Sequence, residues 1–221
     1  HIMKKFLTIF LSLLFLSFNS LKAEMAIGIS AGMHEIGIKG SETLRQSSKK
    51  ASAKHTETTA VPEVFVEILA DNGMAFGVAY IPTRELGNKS RSDTTTSGDA
   101  QDTGTYTAKA ELENVIQVYA DVPFAELMGA SVYAKVGLQH VTINTLESLN
   151  SGSNYPDKDV MGFTVGLGAR GDLPYENLFY KADLTYTNFA EYKADSDATL
   201  ANTVEAELDA IAAKLSLGYK F

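Results

Sequence analysis

Apolar and polar residues alternate along most of the chain. At the C-terminal end Ile211, Ala213, Leu215, Leu217, Tyr219 and Phe221 take turns with Ala210, Ala212, Lys214, Ser216, Gly218 and Lys220. A period of two marks an extended strand, because a helix would scatter that apolar set around its circumference. The same rhythm sets Met161, Phe163, Val165, Leu167 and Ala169 against Gly162, Thr164, Gly166, Gly168 and Arg170. It sets Leu178, Tyr180, Ala182, Leu184 and Tyr186 against Phe179, Lys181, Asp183, Thr185 and Thr187, and Val132, Ala134, Val136 and Leu138 against Ser131, Tyr133, Lys135 and Gly137. From about Tyr106 to Val122, Ala108, Ala110, Leu112, Ile116 and Val118 alternate with Lys109, Glu111, Glu113, Gln117 and Tyr119. Three shorter stretches, around Ile27 to Met33, Val64 to Ile68 and Met74 to Tyr80, complete a prediction of eight strands and no helix.

The connections alternate in length. Polar stretches at about 39–60, 83–105, 144–159 and 191–205 are long, whereas the Asp71-Asn72-Gly73 turn, the link around Pro123 to Gly129 and the link from Gly171 to Asn177 are short. Short turns at one end, long loops at the other and an even strand number are the pattern of an antiparallel transmembrane β-barrel, built as an up-and-down meander. Such a barrel exposes its apolar set to lipid. The polar set, Glu67, Lys109, Glu111, Glu113, Lys135, Arg170, Lys181, Asp183 and Lys214, is then expected in the lumen. Eight strands leave an interior just wide enough for side chains to fill, so these charges are expected to pair there. Phe76, Tyr80, Tyr180, Tyr186, Tyr219 and Phe221 lie near strand ends, where membrane barrels carry aromatic girdles. Alternation also fits a soluble barrel with the apolar set inside, and that alternative stays open.

Composition narrows the compartment and the chemistry. Met3-Lys4-Lys5 followed by an uncharged stretch from Phe6 to Leu21 reads as a secretory signal, with cleavage expected after Ala23 and His1-Ile2 as an upstream remnant. This divides the chain into a removed segment, 1–23, and a barrel domain, 24–221. With no cysteine there is no disulfide, thiolate metal site, cysteine nucleophile or lipid-anchored thiol. A net charge of −8 over 221 residues disfavours a nucleic-acid surface, which needs a basic footprint.

The segment Ile211 to Phe221, ending Lys-Leu-Ser-Leu-Gly-Tyr-Lys-Phe, resembles the C-terminal strand of Gram-negative outer-membrane proteins. In strand count and loop order the chain resembles the small eight-stranded barrels of the OmpA and OmpX type. The resemblance implies residence in the outer membrane among phospholipid and lipopolysaccharide. It also implies delivery by periplasmic chaperones to the barrel-assembly machinery, with Leu215, Leu217, Tyr219 and Phe221 as the assembly signal.

Candidate chemistry is sparse. His140 and Thr142 share one face of a strand, and Glu147 would complete a His–hydroxyl–carboxylate set resembling that of small lipid A deacylases. A strand-end histidine near the interface is the preferred reading of His140. His34 is expected to hydrogen-bond in the lumen, and His55 to lie in an irregular loop. Arg45, Lys49, Lys50, Lys54 and His55 make the first long loop basic, suited to lipopolysaccharide phosphates. Asp93, Asp99, Asp102, Asp157, Asp159, Asp195 and Asp197 make the other three acidic, without the ligand spacing of a calcium loop, and solvated mobile loops are the preferred reading of all four. No cofactor or metal is expected. The function expected is a structural or surface-interaction role through the extracellular loops, with an unidentified extracellular ligand. A narrow diffusion channel, a lipid-modifying enzyme and a soluble secreted barrel are the alternatives.

Overall fold

The computed structural model describes residues 23–43, 48, 50–93, 104–145, 155–196 and 203–221, with the backbone alone at 51, 53, 86–93 and 104–109. Ten strands make one antiparallel sheet: β1 (Ala23–Thr43), β2 (Lys50–Ala70), β3 (Ala75–Ile81), β4 (Arg84–Asp93), β5 (Gly104–Leu127), β6 (Ala130–Thr145), β7 (Lys158–Asp172), β8 (Leu178–Phe189), β9 (Tyr192–Asp195) and β10 (Thr203–Lys220). β3 and β4 together pair along β5, and β8 and β9 pair along β10, so each couple forms one wall of an eight-stranded ring. The ring closes where β1 pairs with β10 from Ala26↔Lys220 to Thr43↔Thr203. Through the span, closure leaves no open sheet edge, which is the condition for strands to cross lipid, whereas higher up β4 pairs only with β5 and β9 only with β10.

One end is made of tight turns. Met128 and Gly129 both take left-handed φ, 51° and 81°, as a two-residue type I′ hairpin requires. At Asp71-Asn72-Gly73 the Gly73 amide donates to the Ala70 carbonyl (2.8 Å), and Asn72 Oδ1 accepts from the Met74 amide (3.0 Å). The chain end lies at the same rim, where the Phe221 amide donates to the Met25 carbonyl at 2.9 Å.

Within the lower part of the ring the outward positions are apolar. Ile27, Ile29, Met33, Val64, Val66, Val136, Leu138, Phe163, Val165, Leu184, Leu215 and Leu217 are all exposed, Leu215 at 70%. On β10 this belt runs from Ile211 to Phe221, about 33 Å along a strand at ~3.3 Å per residue. With a strand tilt of about 40° that is about 25 Å of height, the apolar band of an outer-membrane barrel.

The strands are longer than the alternation predicts. Segments 39–60, 83–105, 144–159 and 191–205 were expected as long loops, yet most of their described residues continue the strands above the belt. The reason lies in a reversal of polarity. Above Met33 the outward residues of β1 become Glu35, Lys39 and Ser41, while Ile36 and Ile38 turn inward. On β10 the outward residues are Glu205, Glu207 and Asp209, with Leu208 inside, and on β6 Val141 and Ile143 turn inward past Leu138. These residues pack with Val61, Ile81, Leu112, Val115, Val160, Phe189 and Tyr192 into an apolar core inside the upper barrel. Above the lipid the outward face meets water, so the hydrophobic effect pulls the apolar set inside.

Two local devices accommodate the reversal. Pro82 has no amide proton for the ladder and separates β3 from β4. Across from that break, Asn114 (φ 51°) sits in a bulge of β5 between Glu113 and Ile116, so Leu112 and Val115 both face inward.

Below this core the lumen is filled by aromatic rings laid against glycines. Tyr119 covers Gly77, Tyr133 covers Gly168, Phe65 covers Gly28 and Phe179 covers Gly218. A branched side chain in place of Gly77 would collide with the Tyr119 ring, whereas Gly40 has space around it. Gly77→Val is therefore expected to destabilise the folded barrel by about 1–3 kcal/mol, as overpacking does. Gly40→Ala serves as the near-neutral control, with urea unfolding in lipid vesicles as the measurement.

Candidate functional site

The lumen carries the densest polar chemistry of the molecule. Strand register brings carboxylates from β2, β5 and β8 to one level with cations from β6, β7 and β8. Glu67, fully buried, accepts hydrogen bonds from Tyr119 Oη (2.7 Å), Lys181 and Arg170. Lys181 Nζ also donates to Asp121 Oδ2 (2.7 Å), and Lys135 Nζ reaches Asp121 Oδ1 at 2.8 Å and Asp183 Oδ1 at 3.5 Å. Tyr133 Oη donates to Asp183 (2.8 Å), and the Lys135 ammonium lies 3.8 Å from the centre of the Tyr119 ring. Three carboxylates thus face three cations in a layer across the barrel. One level up, Lys214 Nζ bonds both oxygens of Glu63 at 3.1 and 3.2 Å. Thr164 accepts from Gln117 Nε2 (3.0 Å) and shares a hydrogen bond with Thr187 (2.8 Å).

Of the charges expected in the lumen, Glu67, Lys135, Arg170, Lys181 and Asp183 meet in the layer, and Lys214 joins Glu63. Glu111 and Glu113 do not. The Asn114 bulge shifts their strand by one position, so both point outward above the belt, where Glu113 accepts from Asn144 Nδ2 (3.3 Å). The Lys109 side chain lies outside the described residues. Asp121 and Glu63 were missed although their parity carried the signal, since Asp121 follows Gln117 and Tyr119 and Glu63 precedes Phe65 and Glu67 by twos. Arg84, expected in a loop, turns into the lumen from the start of β4.

His140 and Thr142 do share the outward face of β6, just above the belt. Thr142 Oγ1 donates to Asp159 Oδ1 (2.9 Å), and His140 Nε2 lies 3.7 Å from the same oxygen. The carboxylate thus stands between the two groups. Activation of a hydroxyl needs the base on the hydroxyl and the carboxylate behind the base. Glu147 lies outside the described residues. His34 is buried in the lumen with Nε2 unpartnered, and His55, expected in an irregular loop, belongs to β2 at 3.6 Å from Glu57.

Above the belt an open concavity of about 440 Å³ is lined by Lys39, Lys50, Lys54, Glu191, Glu205 and Glu207 among others. Lys193 Nζ donates to Glu205 Oε1 at 2.5 Å and Lys50 Nζ to its Oε2 at 3.4 Å. The hydrogen bond from Lys193, followed by that from Lys50, holds the Glu205 carboxyl below its usual value. A depressed carboxylate contributes its stabilisation above the unfolded pKa and loses it as pH falls through the folded one, so these ties loosen on acidification. Arg45 and Lys49 lie outside the described residues. Asp157 accepts from the Thr145 amide (3.2 Å) and Asp195 from Thr203 Oγ1 (2.6 Å). Asp99, Asp102, Asp197 and the Asp93 side chain are not among the described groups. Among the described residues no cluster of three His, Asp or Glu side chains is set to hold a metal ion.

An apolar outward belt over a charged interior defines a transmembrane β-barrel. No protein-family model and no curated relative matches the sequence. Among solved structures, the outer-membrane protein OprG from Pseudomonas aeruginosa superposes with a TM-score of 0.62 at 13% identity, over 89% of this chain and 95% of that one. The outer-membrane protein AlkL, solved in lipid bilayers, gives a TM-score of 0.50 at 15% identity, over 90% of each chain. The chain therefore has the eight-stranded fold of Gram-negative outer-membrane barrels, as its alternation and final strand led us to expect.

The Glu63–Lys214 pair, one level above the ionic layer, tests what the buried ions contribute. Lys214→Met or Glu63→Gln alone is expected to cost about 3–5 kcal/mol by stranding a buried charge. The double variant should recover most of that in a double-mutant cycle of urea unfolding.

Proposed function

We propose that the protein is a closed outer-membrane barrel that works through the surface it raises above the membrane, without conducting solute or carrying out catalysis. The filled lumen supports this reading above all. The ionic layer, the glycine-seated aromatic rings and the apolar upper core occupy it in succession, and the cavity between them measures only about 10 Å³. The strand extensions support the surface role, since β1, β2, β5 and β10 run well beyond the belt, with Lys39, Lys50 and Lys54 on the outer side of β1 and β2 and Lys193 beside them on β9.

Lipopolysaccharide is the proposed neighbour of these lysines, because its phosphates lie at the level where the outward face turns from apolar to charged. The proposal that the protein is not an enzyme rests on the order of the His140, Asp159 and Thr142 contacts. Purified protein in planar bilayers is expected to show no steady ion conductance, and reproducible single-channel steps would overturn the closed-barrel reading.

For biogenesis we propose that Leu215, Leu217, Tyr219 and Phe221, all exposed on the outer side of β10, are read by the barrel-assembly machinery after delivery by periplasmic chaperones. Deleting Phe221 should lower the yield of heat-modifiable barrel in outer-membrane fractions. An unchanged yield would remove the assembly role.

A further inference from the structure

We infer that the concavity on the outer side of β1, β2, β9 and β10 is a binding site for a zwitterionic group, a phosphodiester ending in a primary amine, borne on the core saccharide of lipopolysaccharide. This rests on the lipopolysaccharide contact proposed above and adds to it a defined site, a ligand chemistry and a height. The concavity measures about 440 Å³, and its charges are sorted by strand. Lys39 comes from β1 and Lys50 and Lys54 from β2, whereas Glu205 and Glu207 come from β10 and Glu191 lies just ahead of β9. Small residues, Gly40, Ser41, Ser52 and Ala206, leave the floor open between them.

Strand register sets the two halves side by side. Lys39 stands opposite Lys54 on one flank and opposite Glu207 on the other, and the next outward pair up is Ser41 with Ser52. Glu205 is held by Lys193 and Lys50, while Lys39, Lys54 and Glu207 make no ion pair among the described residues. Ammonium and hydroxyl groups of Lys39, Lys54, Ser41 and Ser52 thus offer donors from two strands at two levels. The tetrahedral oxygens of a phosphate diverge to meet such a set, whereas those of a carboxylate lie in one plane. One strand over, ~4.8 Å away, Glu207 offers an acceptor to an ammonium, a span that a two-carbon linker between phosphate and amine covers. A plain polyanion would be repelled by Glu191 and Glu207, so the divided charge favours a guest that carries both signs.

Height excludes a phospholipid head group. Lys39 and Lys54 stand six residues above Met33 and Ala60, the last apolar outward pair of β1 and β2. At ~3.3 Å per residue and a tilt of about 40° that is about 15 Å, beyond the roughly 5–8 Å of the interfacial layer. A group at that level is carried on sugar that rises from the lipid.

The test uses the full barrel, purified and folded in detergent, with three probes: lipid A alone, lipopolysaccharide with a phosphorylated core, and the same core with its phosphate capped by ethanolamine. Affinities are read by native mass spectrometry from mixed micelles. The capped core should bind tightest. Lys54→Gln should weaken both phosphorylated probes about three- to tenfold, and Glu207→Gln should remove only the preference for the capped one. Equal binding of the capped and uncapped cores, or a preference that survives Glu207→Gln, would overturn the inference. Lipid A alone binding as well as either core would also overturn it while leaving the lipopolysaccharide contact standing, and no binding of any probe would remove both. Both substituted side chains are exposed, and heat-modifiable migration checks that each variant folds. The comparison of probes is made on the unaltered chain, so it decides the question by itself.

Discussion

The ion pairs of Glu67, Asp121 and Asp183 with Lys135, Arg170 and Lys181 exist because lipid covers the opposite face of the same strands. Inside the membrane span the outward positions hold apolar side chains, and every polar residue of the strand must go inward. Once there, a charge is removed from water and is tolerable only when another charge and good hydrogen bonds meet it. The aromatic rings over Gly77 and Gly168 answer the same constraint, since they bring the Tyr119 and Tyr133 hydroxyls onto Glu67 and Asp183. Charge pairing, glycine placement and lumen closure are consequences of one boundary condition.

Above the span the boundary condition reverses, and the strands reverse with it. Ile36, Leu112, Val141 and Leu208 point into the barrel where Ser30, Gln117, Lys135 and Lys214 do lower down. The same ring is thus an inside-out protein at one end and an ordinary soluble barrel at the other. That second core is what lets long strands stand clear of the membrane, where isolated hairpins are marginal at best. Arg84 and His34 sit inside the barrel where the two regimes meet.

Strand identity, strand number and the outward face were legible in the sequence wherever a single parity held from end to end, as it does from Ile211 to Phe221 and from Met161 to Arg170. Legibility failed where parity changed. Ile36 and Ile38 fall out of step with Ile27 and Ile29, and read locally they look like the end of a strand and the start of a loop. Glu111 and Glu113 share parity with Gln117 and Tyr119, but the bulge at Asn114 turns them to the other side. Asn and bulges are a poor sequence signal, because the same residue serves as readily in a turn.

The sequence by itself determined a period-two chain with tight turns at one end, an apolar stripe for lipid and a charged complement for the interior, because alternation is a property of each strand alone. The tertiary structure decided which charges meet. Glu67, Asp121, Lys135, Arg170 and Lys181 come from five strands, and only the closed ring with its fixed register lifts them to one level. It also decided where the polarity inverts and that Arg84 ends inside. Those outcomes depend on the height of each residue along the barrel axis, which closure and stagger set and no single strand encodes.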